Sequence, residues 1–565
     1  MRMWIGITAF VLGISLTAVG VVDQIRNSPL ERIEITKTLD KSAPYLLIPN
    51  RTLTSYPGNV QVSASGTKDV FLATVRESDA IAWLTPSPHL ELRLEVNQES
   101  QSVSLAEIER PGEGNLIDPR GYDIWRTSVA SKDFDSIKVP AGNEAAVLIA
   151  STGDDPAPDK IVVTWTLPKG AIPLSPLPPI GLAIMLLGGV IVLWDAYLKN
   201  RGARPGRGLR GPKRPRPKRF KTLVQRRPVS GRRAQRLGMV AALMSVGLLA
   251  GCTPQYESPL MSPSPSAAPD TLTPVMTKVQ LVRILDEIAA AISLADTELD
   301  RETVEVRTAG AALAMRRAEY NLLRRTEADD KPQPIQSGPI KLFLPSATDA
   351  WPRSVMVVTG EEQLQLLVLR QESARENYVL VHYSNLLPGT TFPEVGAETV
   401  GANIVKSDSK FLAFEPQKLP EAVGDLINNA GDSAWATLVD PENKYVMDLA
   451  AVQQNLTETL SNANLSFDHR LGDNKINMLA TADGGALAAI YMIDTYTIIP
   501  KEPGDAVAIT GDEALLLGTG GSSTGIETRY GSMLLFHIPS TGSDQPVRLL
   551  GATQQLLTTV NLGTR

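Results

Sequence analysis

Three arginines, a short apolar run and the chain's only cysteine stand in one continuous segment, Arg232 to Cys252, reading RRAQRLGMVAALMSVGLLAGC. Residue types in this order suit one chemistry, the lipidation of a cysteine thiol behind a signal peptide. Arg232, Arg233 and Arg236 would hold the start of the segment in the cytoplasm while Leu237 to Leu249 enters the bilayer. The signal peptidase site reads Leu249-Ala250-Gly251-Cys252: small residues leave room for the peptidase, and the Cys252 sulfur is free to carry diacylglycerol. Cleavage would give residues 1–251 and a lipoprotein starting at Cys252; without it, residues 237–252 form a third span, short for a hydrocarbon core of about 30 Å.

Other chemistry is poorly represented. His89, His382, His469 and His537 lie far apart, and no HxxH or HExxH pair offers a helix-borne zinc site. Gly521-Ser522-Ser523-Thr524-Gly525 matches the nucleophile-elbow pattern, but Ile526 to His537 behind it reads as a strand where that elbow needs a helix, so a glycine-rich hairpin loop is expected. Gly518-Thr519-Gly520 begins like a dinucleotide loop, with Ser523 where the third glycine belongs. The paired acids Asp154-Asp155, Asp329-Asp330 and Glu361-Glu362 read as solvated loop charges, and Trp83, Trp125, Trp165, Trp351 and Trp435 as core fillers. No catalytic residue, cofactor or metal is expected.

Around the lipoprotein-like segment, composition divides the chain. Lys199 to Arg236 carries 16 basic residues and no acid, leaving 39 basic against 61 acidic residues elsewhere. Trp4 to Val22 and Ile180 to Leu198 are apolar and long enough to cross a bilayer, and the first lacks a small-x-small cleavage site, which favours an anchor over a removable signal. The positive-inside bias puts the basic loop in the cytoplasm, against anionic lipid, and the unit between the spans outside. Pro and Gly every few residues forbid a regular helix in that loop, and the adjoining spans favour a membrane tether over a nucleic-acid tail.

Between the spans, short runs rich in Val, Ile and Thr (Arg32 to Thr38, Val60 to Ser65, Asp69 to Val75, Leu90 to Val96, Ala145 to Ser151, Lys160 to Leu167) predict an all-β sandwich of two antiparallel sheets. Beyond a Ser/Pro-rich spacer, helical spacing at Thr277 to Ala295 and Ala309 to Arg325 precedes a strand meander, and helices at Leu419 to Asn429 and Val446 to Leu460 precede another. The expected fold class is a multidomain membrane protein: a first transmembrane helix (1–27), an extracytoplasmic β-sandwich (28–172), a second transmembrane helix (173–198), the basic cytoplasmic loop (199–236), the lipoprotein signal or third span (237–252) and a linker (253–275). Two extracytoplasmic α+β lobes with helices on curved antiparallel sheet follow, 276–395 and 396–565.

Val282-Arg283-Ile284-Leu285, Arg316-Arg317-Ala318-Glu319-Tyr320 and Trp351-Pro352-Arg353 together resemble an uncharacterised domain of lipoproteins and membrane proteins in high-GC Gram-positive bacteria. Asp79-Ala80-Ile81-Ala82-Trp83-Leu84, read as a strand, and the span after it look like outward-facing β domains of such envelopes. The resemblance implies an envelope setting, transfers no catalytic residue, and allows that two neighbouring reading frames were joined. The expected function is therefore a non-enzymatic envelope protein that binds membrane lipid and an envelope protein or cell-wall component. The alternative is an envelope hydrolase or transferase acting on wall glycan or lipid, which predicts a concave site with facing acids and raised carboxyl pKa values.

Overall fold

The computed structural model describes residues 2–26, 32–97, 102–114, 116–140, 145–153, 155–167, 176–202, 272–326, 330–440, 443–473 and 475–564. Helix α1 (Arg2–Arg26) and a later apolar helix (Leu177–Gly202, α4 below) pack antiparallel, and both are long and apolar enough to cross a membrane. Glycines at seven-residue intervals set their approach: Gly6 faces Gly188, Gly13 faces Gly181 and Gly20 faces Pro178. A Cβ on Gly13 would stand 2.7 Å from the Gly181 carbonyl oxygen, closer than van der Waals contact allows.

Eight strands fill the interval: β1 (Arg32–Thr38), β2 (Tyr45–Ile48), β3 (Asn59–Val75), β4 (His89–Asn97), β5 (Ser102–Arg110), β6 (Thr127–Val139), β7 (Ala146–Ala150) and β8 (Lys160–Thr166). The expected two-sheet sandwich is replaced by one sheet, ordered β1-β8-β3-β7-β2-β4-β5 with β6 also on β3, and β2–β4 pair in parallel. The long β3 explains the difference. Its first half pairs with β8 and its second with β7, so the sheet cannot split and instead curls until β1 reaches β5, where Lys37 meets Glu107 at 3.0 Å. Leu46, Ile48, Val62, Leu72, Val147 and Ile149 point into the curl, while their alternating neighbours point out. The outward set, Tyr45, Leu47, Phe71, Leu148 and Ala150, is covered by Trp125 and helix α3 (Glu77–Leu84), which follows the short α2 (Asn50–Leu53). The stretch Asp79 to Leu84 is thus helical rather than a strand: Ala80, Trp83 and Leu84 fall on one buried stripe at three- and four-residue spacing.

After α4 (Leu177–Gly202) the description resumes at residue 272. Thr277 caps α5 (Lys278–Glu298) in a capping box with Gln280, and α6 (Gly310–Leu323) follows. Strands β9 (Ile340–Pro345), β10 (Arg353–Thr359), β11 (Gln365–Gln371) and β12 (Val379–Leu386) lead to α7 (Leu419–Asn429) and α8 (Lys444–Thr459). Then come β13 (Ala463–Leu471), β14 (Asn477–Ala480), β15 (Ala486–Pro500), β16 (Val507–Ala508), α9 (Gly511–Leu517), β17 (Gly521–Ser522), β18 (Ile526–Ile538) and β19 (Arg548–Asn561).

Strands expected in two lobes meet in one nine-stranded sheet, β13-β15-β18-β19-β12-β11-β10-β9 with β14 on β15; the seam is the two pairs Asn385↔Ala552 and Leu386↔Gly551. Residues 402–404 close the far side, bridging Ser346 beyond β9 to Leu479 of β14. The enclosed core holds Met356, Val358, Leu366, Val368, Leu487 and Leu535. Outside, Val355, Val357 and Leu367 pack under α5 and α6, and Ala488, Ile490 and Phe536 under α7 and α8. This curled sheet with a helix pair on each outer face also docks its β10 and β11 ends, through Trp351 and Ala374, onto the Trp83 cluster of the first unit.

The glycine spacing of the helix pair gives a direct test. Gly13→Ala should destabilise the α1–α4 pair by about 1–3 kcal/mol, the usual range for overpacking, seen as a lower helical melting midpoint by circular dichroism in detergent. Gly189→Ala, where a Cβ would make ordinary contact with the Phe10 ring at 3.8 Å, should leave it unchanged.

Candidate functional site

One mouth of the second curled sheet gathers ionisable side chains around a cavity. Antiparallel register brings its walls together: Val368 opposes His382 between β11 and β12, and Asn477 opposes Ala489 between β14 and β15, with Tyr491 two residues on along the same face. The N-terminus of α6 forms a further wall. Ala309 there is extended and makes no side-chain cap, Gly310 sits at φ +56, where a side chain would be strained, and the Ala309 N–H donates to the Leu380 carbonyl. These walls, with Asp473 and Lys475, enclose about 250 Å³, and a neighbouring cavity of about 420 Å³ shares Arg370, Lys475 and Asn477 with it.

Charges in the first cavity balance. Glu372 lies 2.9 Å from Arg370 Nε and 3.9 Å from Lys475 Nζ, which leaves Asp473 as the second acid. Burial pushes the Asp473 carboxyl up, only partly opposed by the Lys475 backbone N–H and the Lys475 and Arg370 charges. Burial drives the His382 imidazole down to about 3, so it is neutral. The Tyr491 phenol is pushed up to about 12 by burial. Its ring is gripped by two glycines: a Cβ on Gly472 would come 2.5 Å from the ring and one on Gly531 2.8 Å from the hydroxyl. His382 Nε2, Asp473 Oδ1 and the Tyr491 hydroxyl are buried without a hydrogen-bond partner in the protein. Three such atoms on one cavity mark a place where a ligand or water supplies the missing bonds.

The residues singled out from sequence distribute differently. Leu249, Ala250, Gly251, Cys252 and most of the basic loop lie outside the described residues. Gly521-Ser522 forms β17, the Ser522 hydroxyl lies 3.1 Å from Thr524 Oγ1 and donates to Asn561, and β18 follows, so this is the expected loop and not an elbow. Trp83, Trp125 and Trp165 are fully buried. Glu361 and Glu362 are exposed.

Sequence reasoning missed a buried cluster of serine, histidine and aspartate. Asp494 is its hub, contacting His469 Nδ1 at 2.7 Å and accepting from the Ser532 hydroxyl at 2.6 Å, while Gln453 occupies His469 Nε2 at 2.8 Å. The imidazole therefore never reaches the serine, and the cluster ties α8 to β13, β15 and β18 without catalytic geometry. Its members are scattered through the chain, with no local spacing to announce them.

The neutral His382 sets a pH dependence. Its folded pKa lies below the unfolded value, so the unfolded chain takes up the proton first and stability falls as pH drops below about 6.5 toward 3. Relative to His382→Leu, the wild type should lose about 2 kcal/mol between pH 7 and pH 5 in urea unfolding.

The family described as Domain of unknown function (DUF8094) matches residues 272–560, a span that takes in α5 to α9, the nine-stranded sheet and the cavity at its mouth. No curated protein and no solved structure matches the chain. With half of its length covered by that match, the chain belongs to the DUF8094 family.

Proposed function

We propose that the protein is a bacterial envelope protein, held in the membrane by the α1–α4 pair, that binds an envelope component in the cavity at the mouth of its second sheet. The observation that carries the binding reading is the convergence of His382 Nε2, Asp473 Oδ1 and the Tyr491 hydroxyl, all unpartnered, on a charge-balanced cavity. Balanced charge suits a neutral, hydroxyl-rich ligand such as a glycan unit, whose hydroxyls donate to the imidazole and carboxylate and accept from the phenol. The adjoining cavity gives room for a second unit.

The membrane reading draws on the surface of the helix pair. Trp4, Leu187, Leu193 and Trp194 are each more than three-fifths exposed, an apolar face suited to lipid rather than water. Trp4, Trp194 and Tyr197 belong to the end that also bears Arg2 and Lys199, as in an aromatic belt at a cytoplasmic face. The first β unit leaves from the other end, and the second unit docks on it. On this reading the chain returns across the membrane between residues 203 and 271, and residues 237–252, uncharged and largely apolar, are the stretch suited to that return. Processing at Leu249-Ala250-Gly251-Cys252 would then leave the second unit lipidated on Cys252, with the basic loop against anionic lipid inside.

An enzymatic reading draws on carboxyls that burial pushes above their ordinary range: Asp473 in the cavity, and Asp296 and Glu319 beside Arg316 outside it. The three unpartnered polar atoms and balanced charge of the cavity favour binding as the better-supported reading.

Two measurements test these statements. Calorimetric titration of the full-length protein in detergent with soluble fragments of digested wall glycan should give saturable heat without new product, and Asp473→Asn should weaken it by about tenfold, roughly 1.4 kcal/mol, while raising the urea midpoint at pH 7. Absence of heat with every fragment would remove the glycan assignment, and appearance of cleaved glycan would favour the enzyme. Differently tagged ends should give two bands in the bacterial host, merging to one in Cys252→Ser or under a lipoprotein signal peptidase inhibitor. One full-length band throughout would instead mean an unprocessed third span.

A further inference from the structure

Each unit has a hydrophobic core of its own, yet two deeply buried carboxylates of the first, Asp123 and Asp79, pair with arginines of the second. Asp123, wholly buried, accepts from Arg307 at 2.7 Å and from the Tyr378 N–H at 2.8 Å. The carbonyls beside it are also engaged: Gln280 donates to Asp123 and Ile124, and Arg283 to Asp123 and Trp125. A second anchor lies along α3. Asp79 accepts from Arg353 at 2.6 Å, and Arg76 donates to the Thr273 and Thr348 carbonyls at 2.8 Å each. At the rim, the Arg375 guanidinium lies over the Trp83 ring and donates to the Trp83 carbonyl at 2.9 Å.

Separating the units would expose apolar indoles to water, leave Asp123 without Arg307 and Arg283, and leave Asp79 with Arg76 alone. Among the described residues, the contacts named above are made entirely by residues outside 203–271. We propose that residues 32–167 form a receptor for the DUF8094 domain, and that the two stay together as a stable non-covalent complex when the chain between them is cut. The partner this surface fits is the second half of the same chain, whether still joined or released as a separate piece. The inference is independent of what the cavity binds and of whether Cys252 is processed.

To test it, a recognition sequence for a specific protease is placed within residues 253–270 of the otherwise full-length protein, tagged at both ends. After complete cutting in detergent, the N-terminal piece is captured and washed in high salt, which screens exposed ion pairs but hardly touches buried ones. The C-terminal piece should stay bound in equal amount, and its elution would overturn the proposal. Asp123→Asn should speed release by at least about tenfold, with both pieces still resistant to non-specific protease. Should that variant fail to fold, Arg375→Ala at the rim serves in its place and should also speed release. Release at the wild-type rate from a folded variant would overturn the role given to these charges.

Discussion

A carboxylate buried without a counter-ion is among the most expensive things a protein can hold, and Asp123 avoids that state through Arg307 and Arg283 of the other unit. Removing one member of such a pair typically costs about 3–5 kcal/mol, because the survivor is left charged and dry. The remaining architecture is consistent with this demand. Trp125 and Trp83 exclude water on one side, Tyr378 supplies a backbone donor, and Gln280 and Arg283 on the first turns of α5 satisfy the adjacent carbonyls. The outward residues of β2 and β7 are as fully buried as the inward ones for the same reason: the second unit and the α3 layer cover what an isolated curled sheet would leave to solvent.

Elements were largely legible in the sequence. β1 and α7 match their expected bounds to the residue, since each has an unbroken periodicity and clear ends. β3 reads as two strands because Gly66, Thr67 and Lys68 interrupt its alternation, yet it continues through them with a register shift, Gly66 taking φ +120. That single continuity turns the expected sandwich into one curled sheet. β2, β5 and β6 escaped notice, two of them because Ser, Glu, Lys and Asp alternate on a face the sheet leaves partly open, the third because four residues carry too little pattern. Asp79 to Leu84 misled through its composition: Ile and Trp suit strands, while the buried stripe obeys a helical period.

The cavity was not legible, for a physical reason. Its walls come from residues near 310, 370, 382, 475 and 490, and what gathers them is strand register, the closing bridges at 402–404 and the seam between β12 and β19. His382 and Asp473 have unremarkable neighbours in the chain. Only the fold supplies the desolvation that makes one neutral and pushes the other up. The docking contacts are hidden in the same way, since Asp123 and Arg307 are 184 residues apart.

Docking and cavity are built on the same short segments. Arg307 grips Asp123, and two residues later Ala309 begins the cavity wall, held to β12 because the Arg307 carbonyl accepts from the Leu380 N–H and the Ala309 N–H donates to the Leu380 carbonyl. On the other side Arg370 and Glu372 line the cavity while Ala374 and Arg375 of the same hairpin press on Trp83. Tyr378, whose N–H binds Asp123, enters the strand that carries His382 four residues on. The first unit therefore contacts two segments, at Arg307 and at residues 374–375, that run directly into the cavity lining. The docking charges and the cavity walls are thus carried on the same short segments, so a change at Arg307 or Arg375 falls within a few residues of the cavity lining.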